Sequence, residues 1–479
     1  MSPKKRSSRK RNVHRQGLSG NPQRRAQQLG QDRRAAHPLT DQDRAALREL
    51  AYSLAGGALP EPWWRESHGR ILAQARALTW PARLVDLETQ ACQLVGDEFY
   101  DRLRSPGTGL HPAQWLRVLA EETGAALRAA LARGAEDWPK LWALLCGLAL
   151  TAPRTPAEAR DDSLHEEFPE FPEIKDPLDT ALAEAEEFAG LAADRAVAPS
   201  VGQLAHGSRP AGEALVARDV YGSRFLLTAP FGYDDGTPDH WYAWDIDSCW
   251  IITAVGAGVF ASAGDALGEW RDAVGPAAVG AALSSCPPEM TAELLAPALQ
   301  TGPLADMLQG HEPRELIREY YRLPRRARDL TGSADGTAGS SPFDAGHAAE
   351  AFLDWYATRH DDVPEAVTEA ADIVYEEWGS HEYPDERSFY ACSPHRIEMA
   401  AHLIRESYLA DSANPALRLL PEWTQWCIER TGLDGDAAAR SRAAARSAAS
   451  ALVHDDQALV HDDQNRAAED DEAPFRRQE

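Results

Sequence analysis

No stretch of this chain is apolar for long enough to cross a membrane. The longest run, LWALLCGLAL at 141–150, is about half of the ~20 residues a spanning helix needs, so it reads as a buried helix. The basic start is not followed by the apolar stretch that a secretory signal requires. Six cysteines, Cys92, Cys146, Cys249, Cys286, Cys392 and Cys427, lie far apart with no C-x-x-C pair. That spacing indicates neither a zinc site nor a disulfide scaffold. Glycine-rich phosphate loops, nucleophile motifs and H-E-x-x-H are missing too, so no motif names a reaction. The expected setting is cytoplasmic, with no membrane contact and no cofactor indicated.

What the chain does have is charge, unevenly placed. Its 479 residues carry a formal net charge of −26, yet residues 1–34 hold 11 Lys/Arg against Asp32 alone, leaving −36 for the remainder. Such a body repels DNA and anionic membranes through its mean field. The front arm can do the opposite. Lys4, Lys5, Arg6, Arg9, Lys10, Arg11, Arg15, Arg24 and Arg25 are suited to neutralising phosphates without reading bases. A solvated tail, or an arm folded back on the acidic body, uses the same residues. Residues 1–37 have almost no large apolar side chains and are expected to be disordered.

Within the arm, GLSGNPQRR (Gly17 to Arg25) resembles a short Ser-Gly-Asn-Pro element near the N-termini of some phage and bacterial proteins of unknown function. The Ala- and Arg-rich, Lys-poor usage is similar to that of uncharacterised proteins from GC-rich actinobacterial genomes. Neither resemblance implies an activity.

Forty-three per cent hydrophobic residues and 14 Trp supply real cores, since each Trp can bury roughly 150–250 Å². Helical spacing marks a domain over 38–150, including a helix over TDQDRAALRELAYSLAGG and one opened by Pro112 and closed by Gly134. An acidic, Pro-rich linker and a short helix occupy 151–212. Over 213–275 the period changes to two in RFLLTAPF, HWYAWDID and WIITAVGAGVF, with EALVARDV as a further strand, and Ser262 then opens a helix. This unit reads β-β-β-α and antiparallel.

A helical segment at 276–330 and a Gly/Ser linker at 331–342 follow. The clearest stripe, Val363, Val367, Ala370, Ala371, Val374, Tyr375 and Trp378, lies in a second helical domain over 343–432. Residues 433–479 form an Ala-rich helix and a polar tail holding the tandem copy ALVHDDQALVHDDQ. The expected fold class is mixed α+β and predominantly α-helical, with two helical domains flanking the small β unit.

Three segments offer chemistry. In a strand, Asp245 and Asp247 share a face about 7 Å apart, which suits an acid/base pair or a metal, with His240 nearby in sequence. Local hydrogen bonding at a strand end places aspartates in the same way. In REYYRLPRRARD, Arg318, Arg322, Arg325, Arg326 and Arg328 flank Tyr320 and Tyr321. That composition suits backbone tracking and base stacking, although cations at a helix end before Pro324 also satisfy the helix dipole.

In SPHRIEMAAHLIRESY, Ser393 caps a helix, Pro394 takes its first position, and His395, Glu398, His402 and Glu406 share the face opposite the core. His395 and His402 are about 10 Å apart along that helix, too far for one ion held by the helix alone. Taken together, the sequence favours a non-enzymatic interaction protein that binds another protein of unidentified kind and makes weak, sequence-independent contact with nucleic acid. The alternative is a hydrolase or metal-dependent enzyme with its site near Asp245, Asp247 and His240.

Overall fold

The computed structural model describes residues 62–78, 83–103, 112–152, 177–193, 201–233, 238–296, 298, 314–332, 345–378 and 385–451. The basic arm, the helix over TDQDRAALRELAYSLAGG, most of the acidic linker and of the Gly/Ser linker, and nearly all of the duplicated tail lie outside the described residues. The described part is predominantly helical, with one small antiparallel sheet. No helix in it is long and apolar enough to cross a membrane.

Six helices come first: α1 (Pro62–Ala75), α2 (Leu84–Leu103), α3 (Pro112–Ala132), α4 (Trp138–Thr151), α5 (Pro177–Leu191) and α6 (Val201–His206). Helix α4 is LWALLCGLAL seen from inside: every residue from Leu141 to Thr151 is buried, as expected of a helix apolar on all sides. It crosses α2 so closely that a Cβ on Gly147 would stand 2.6 Å from that of Ala91. Glycine is therefore required at that crossing. Trp142 packs its ring 5.0 Å from Phe188 of α5, closing the core on its far side.

The sheet is built from β1 (Arg209–Pro210), β2 (Leu215–Arg218), β3 (Arg224–Gly232), β4 (His240–Asp247), β5 (Thr253–Phe260) and β6 (Ser284–Ser285). Its order is β5-β4-β3-β2-β6, all antiparallel, with β1 on β3. The four period-two segments are thus β2 to β5. The two-residue pieces β1 and β6 are too short to leave a periodic signal. Alternation sorts β4 in two directions. Tyr242, Trp244 and Ile246 enter one core, whereas Ala243 faces Ala266 and Trp270 of α7 (Ala263–Val274). As the sequence predicts, Ser262 caps α7, its hydroxyl accepting the Asp265 N–H at 3.1 Å.

Two helices, α8 (Arg314–Arg318) and α9 (Arg322–Thr331), pack against the first core side of the sheet. The arginine-rich segment ends α8 at Arg318 and then begins α9, with Pro324 in the first turn, where its missing N–H costs nothing. Its central arginines do not face solvent. Arg322, Arg325 and Arg326 are all buried. Arg326 pairs with Glu88 of α2 at 2.7 Å, Arg322 with Glu319 at 2.6 Å, and Arg325 donates to the carbonyls of Ala149, Leu150 and Ala152 at the end of α4. The last contact satisfies orphan carbonyls and the negative end of the helix dipole together.

The remaining helices are α10 (Ala348–Ala357), α11 (Glu365–Glu377), α12 (Glu386–Phe389), α13 (Pro394–Ser407), α14 (Ala410–Thr431) and α15 (Gly435–Ser450). Their shared core holds Val374, Trp378, Ile404, Trp423 and Trp426, and the Ala-rich α15 contributes Ala438, Ala445 and Ala448 to it. In the stripe read from sequence, Ala370, Ala371, Val374 and Trp378 are buried, and Val363, Val367 and Tyr375 are half-buried.

Candidate functional site

Strand β4 ends where the sheet meets the C-terminal helices. A bulge against β5 falls between Asp245 and Ile246, and the two aspartates beyond and before it serve different ends. Asp245 is engaged twice over: Arg224 grips it from Nε at 2.8 Å and Nη2 at 2.6 Å, and Trp270 Nε1 donates at 2.9 Å. It locks β3, β4 and α7 together. Asp247 is buried, 4% exposed, and turns one oxygen inward: Oδ1 accepts the backbone N–H of Cys249 at 2.6 Å. Its Oδ2 faces His395 Nδ1 across 3.7 Å.

Cys249 follows two residues after Asp247 and is buried. Its Sγ lies 3.2 Å from the hydroxyl of Ser393. Burial pushes the thiol well above its ordinary range and the Asp247 charge adds to the rise, while hydrogen bonds from Ser393 and Ser223 act the other way. Ser393 Oγ accepts the Arg396 N–H at 3.2 Å, as the N-cap of α13. With that lone pair engaged, the hydroxyl proton is free to point at sulfur. His395, in the first turn of the same helix, keeps 39% of its side chain exposed.

The start of α13 is rigid because Arg396 is fully buried behind it. Its guanidinium donates to the carbonyls of Trp378, Ser388 and Ala391 at 2.8, 2.6 and 3.1 Å, and it stacks over Trp378 at 5.1 Å. A further bond crosses the junction from Arg218 of β2 to Asp385, the N-cap of α12, at 2.5 Å.

Asp247, Cys249 and His395 line a cavity of about 360 Å³. The β2–β3 turn also lines it, and there Gly222 holds a φ of 84° that favours glycine. Asp219 in that turn is buried, and its Oδ1 accepts the N–H groups of Ser223 at 2.8 Å and Arg224 at 3.1 Å. Burial pushes its carboxyl up to about 6; the backbone bonds oppose that rise and the Asp247 charge reinforces it. At the rim, Arg440 of α15 donates to the Tyr221 hydroxyl at 3.0 Å. Oxygen, sulfur and ring-nitrogen atoms of Asp247, Cys249 and His395 all lie within 4.8 Å of one another.

The third residue expected with the aspartates is not there. His240 stands on the other face of β4, 2% exposed, with its ring stacked on Phe231 at 6.2 Å and Nδ1 3.3 Å from Asp239. Burial, with Arg326, Arg322 and Arg83 nearby, lowers its pKa to about 2, so it is a neutral core histidine. Odd separations from Asp245 and Asp247 place it there by strand alternation alone. The nine arm cations, Lys4 to Arg25, lie outside the described residues. Cys249, Ser393 and Asp219 are the site residues that sequence reasoning passed over. The one local signal was the close Asp-Ser-Cys order at a strand end, which no motif distinguishes.

No family model, curated protein or solved structure matches this chain. Its functional reading therefore rests on the junction cavity itself.

Proposed function

We propose that this chain is an enzyme of the hydrolytic class, working in the cavity where the sheet meets the C-terminal helices. One observation carries the reading: a carboxylate, a thiol and an imidazole, from β4, the turn after it and α13, converge on one wall of that cavity. Its volume of about 360 Å³ falls in the range of small-molecule pockets. Groups of these three types generate nucleophiles from water in many unrelated folds. In the reaction, the oxygen of water joins an electrophilic carbon or phosphorus. The bond to the leaving group breaks, and the water's proton ends on that leaving group.

The test is a panel of chromogenic carboxylic and phosphoric esters and amides, assayed with the full chain and with His395→Ala. The half-exposed imidazole can be removed without opening the core, so melting should not change. Turnover of whichever substrate is cleaved should fall by roughly 10²-fold or more. Equal turnover in both proteins, or no cleavage of any member, rejects the reading.

A non-enzymatic role, binding a protein partner and touching nucleic acid through the basic arm, has one support. That support is the charge split between the arm and the acidic remainder.

A further inference from the structure

We infer that Asp247, Cys249 and His395 form a binding site for one zinc-class divalent cation, with a coordination position left open toward the cavity. The inference rests on the reading of the junction cavity as the reactive site and names the cofactor of that site.

Donor chemistry selects the ion. A sulfur, an imidazole nitrogen and a single carboxylate oxygen suit zinc and its borderline-soft neighbours, whereas magnesium and calcium take oxygen sets. Three protein ligands with a vacant fourth position are the pattern of catalytic rather than structural zinc. Asp247 spends Oδ1 on the Cys249 N–H at 2.6 Å and keeps Oδ2 for the ion. That same bond fixes the turn placing Cys249 beside it.

Distance is the next criterion. Zinc bonds of about 2.0–2.3 Å in a tetrahedron put ligand atoms roughly 3.3–3.7 Å apart. The three donors span up to 4.8 Å, so binding must draw them together by roughly 1 Å. His395 can supply that movement, because it is the half-exposed member and rotates about its own side-chain bonds. Asp247 is held by the sheet, and Cys249 by the bond from its N–H to Asp247.

The surroundings prepare the sulfur. A metal binds the thiolate, so the thiol proton must leave as the ion enters. The hydroxyl of Ser393, 3.2 Å from the sulfur, is placed to donate to it, supporting the anion once formed, as outer-shell hydrogen bonds do in metal sites. An entry path exists through the cavity, on whose wall His395 stays partly exposed.

The experiment uses the full chain, stripped with chelator and then titrated with zinc and, separately, cobalt. One tightly held ion per chain is expected, with a near-ultraviolet sulfur-to-cobalt charge-transfer band. His395→Ala and Cys249→Ser should each weaken binding at least tenfold, and Cys249→Ser should abolish the band. His402→Ala, an exposed change on the same helix, should do neither, which separates the site from loose binding to this acidic chain. His395→Ala guards against a folding failure of the buried Cys249 variant. Equal affinity in all four proteins, or a cobalt complex without the band, overturns the inference. Metal bound as expected but no hydrolysis upholds this inference and rejects the hydrolytic reading. Hydrolysis that survives complete removal of metal does the reverse.

Discussion

Asp247 Oδ2 and His395 Nδ1 stand 3.7 Å apart, although one residue ends a central strand and the other begins a helix of the C-terminal bundle. Nothing local in sequence brings them together. Their approach depends on two packed units keeping their alignment, and the stability of each unit is therefore part of the site's chemistry.

Ile404 is fully buried in the C-terminal core, on the helix that carries His395 at its other end. Ile404→Ala should destabilise the full chain by about 2–5 kcal/mol, read from denaturant unfolding. Unchanged midpoints would show that the core does not depend on this side chain.

The Arg326–Glu88 pair is buried on both sides, at 1% and 2% side-chain exposure, and Tyr233 also donates to Glu88. Arg326→Met leaves that carboxylate without its cation and should cost about 3–5 kcal/mol. Pairing it with Glu88→Leu should recover part of the loss, because no uncompensated charge remains. Strict additivity in this cycle would contradict coupling between the two residues.

His240 gives the fold a pH dependence of definite sign. Its pKa is lowered to about 2 in the folded chain from an ordinary 6.5, so the unfolded chain binds a proton first as the solution is acidified. Stability from this group is present above about pH 6.5 and is lost as pH falls toward 2. Replacing it by Leu should reduce the stability difference between pH 7 and pH 5 by about 2 kcal/mol. Parallel curves for the two proteins would mean that His240 takes up its proton equally in the folded and unfolded chains, contrary to its burial.

The arm makes a separate prediction from charge alone. Duplex DNA should bind the full chain weakly at physiological salt and more tightly at low salt, with the affinity falling roughly 10³–10⁵-fold between 50 and 200 mM. Neutralising Lys4 to Arg25 should abolish binding, measured by fluorescence anisotropy. Binding that persists after neutralisation would assign the contact to another surface.

What the sequence showed and what it hid differ by range of interaction. Period-two runs marked β2 to β5, and the Ser393-Pro394 pair marked the start of α13, because those signals reside in neighbouring residues. Grouping His240 with the aspartates failed on information already present: an odd separation along a strand means the opposite face. The arginines of 322–326 read as a possible polyanion surface because their partners, Glu88 and the last carbonyls of α4, lie far away in the chain. On its own helix His395 has His402 for company, at a spacing that excludes a shared ion. Its actual neighbours, Asp247 and Cys249, arrive only through tertiary packing.

The most direct test of the account is a zinc-edge anomalous difference map from crystals of the full chain grown with zinc. The account predicts one strong peak in the cavity, about 2.3 Å from Cys249 Sγ and about 2.0–2.2 Å from the Asp247 carboxylate and a His395 ring nitrogen. Zinc held only at surface carboxylates, with no peak among these three residues, would contradict it.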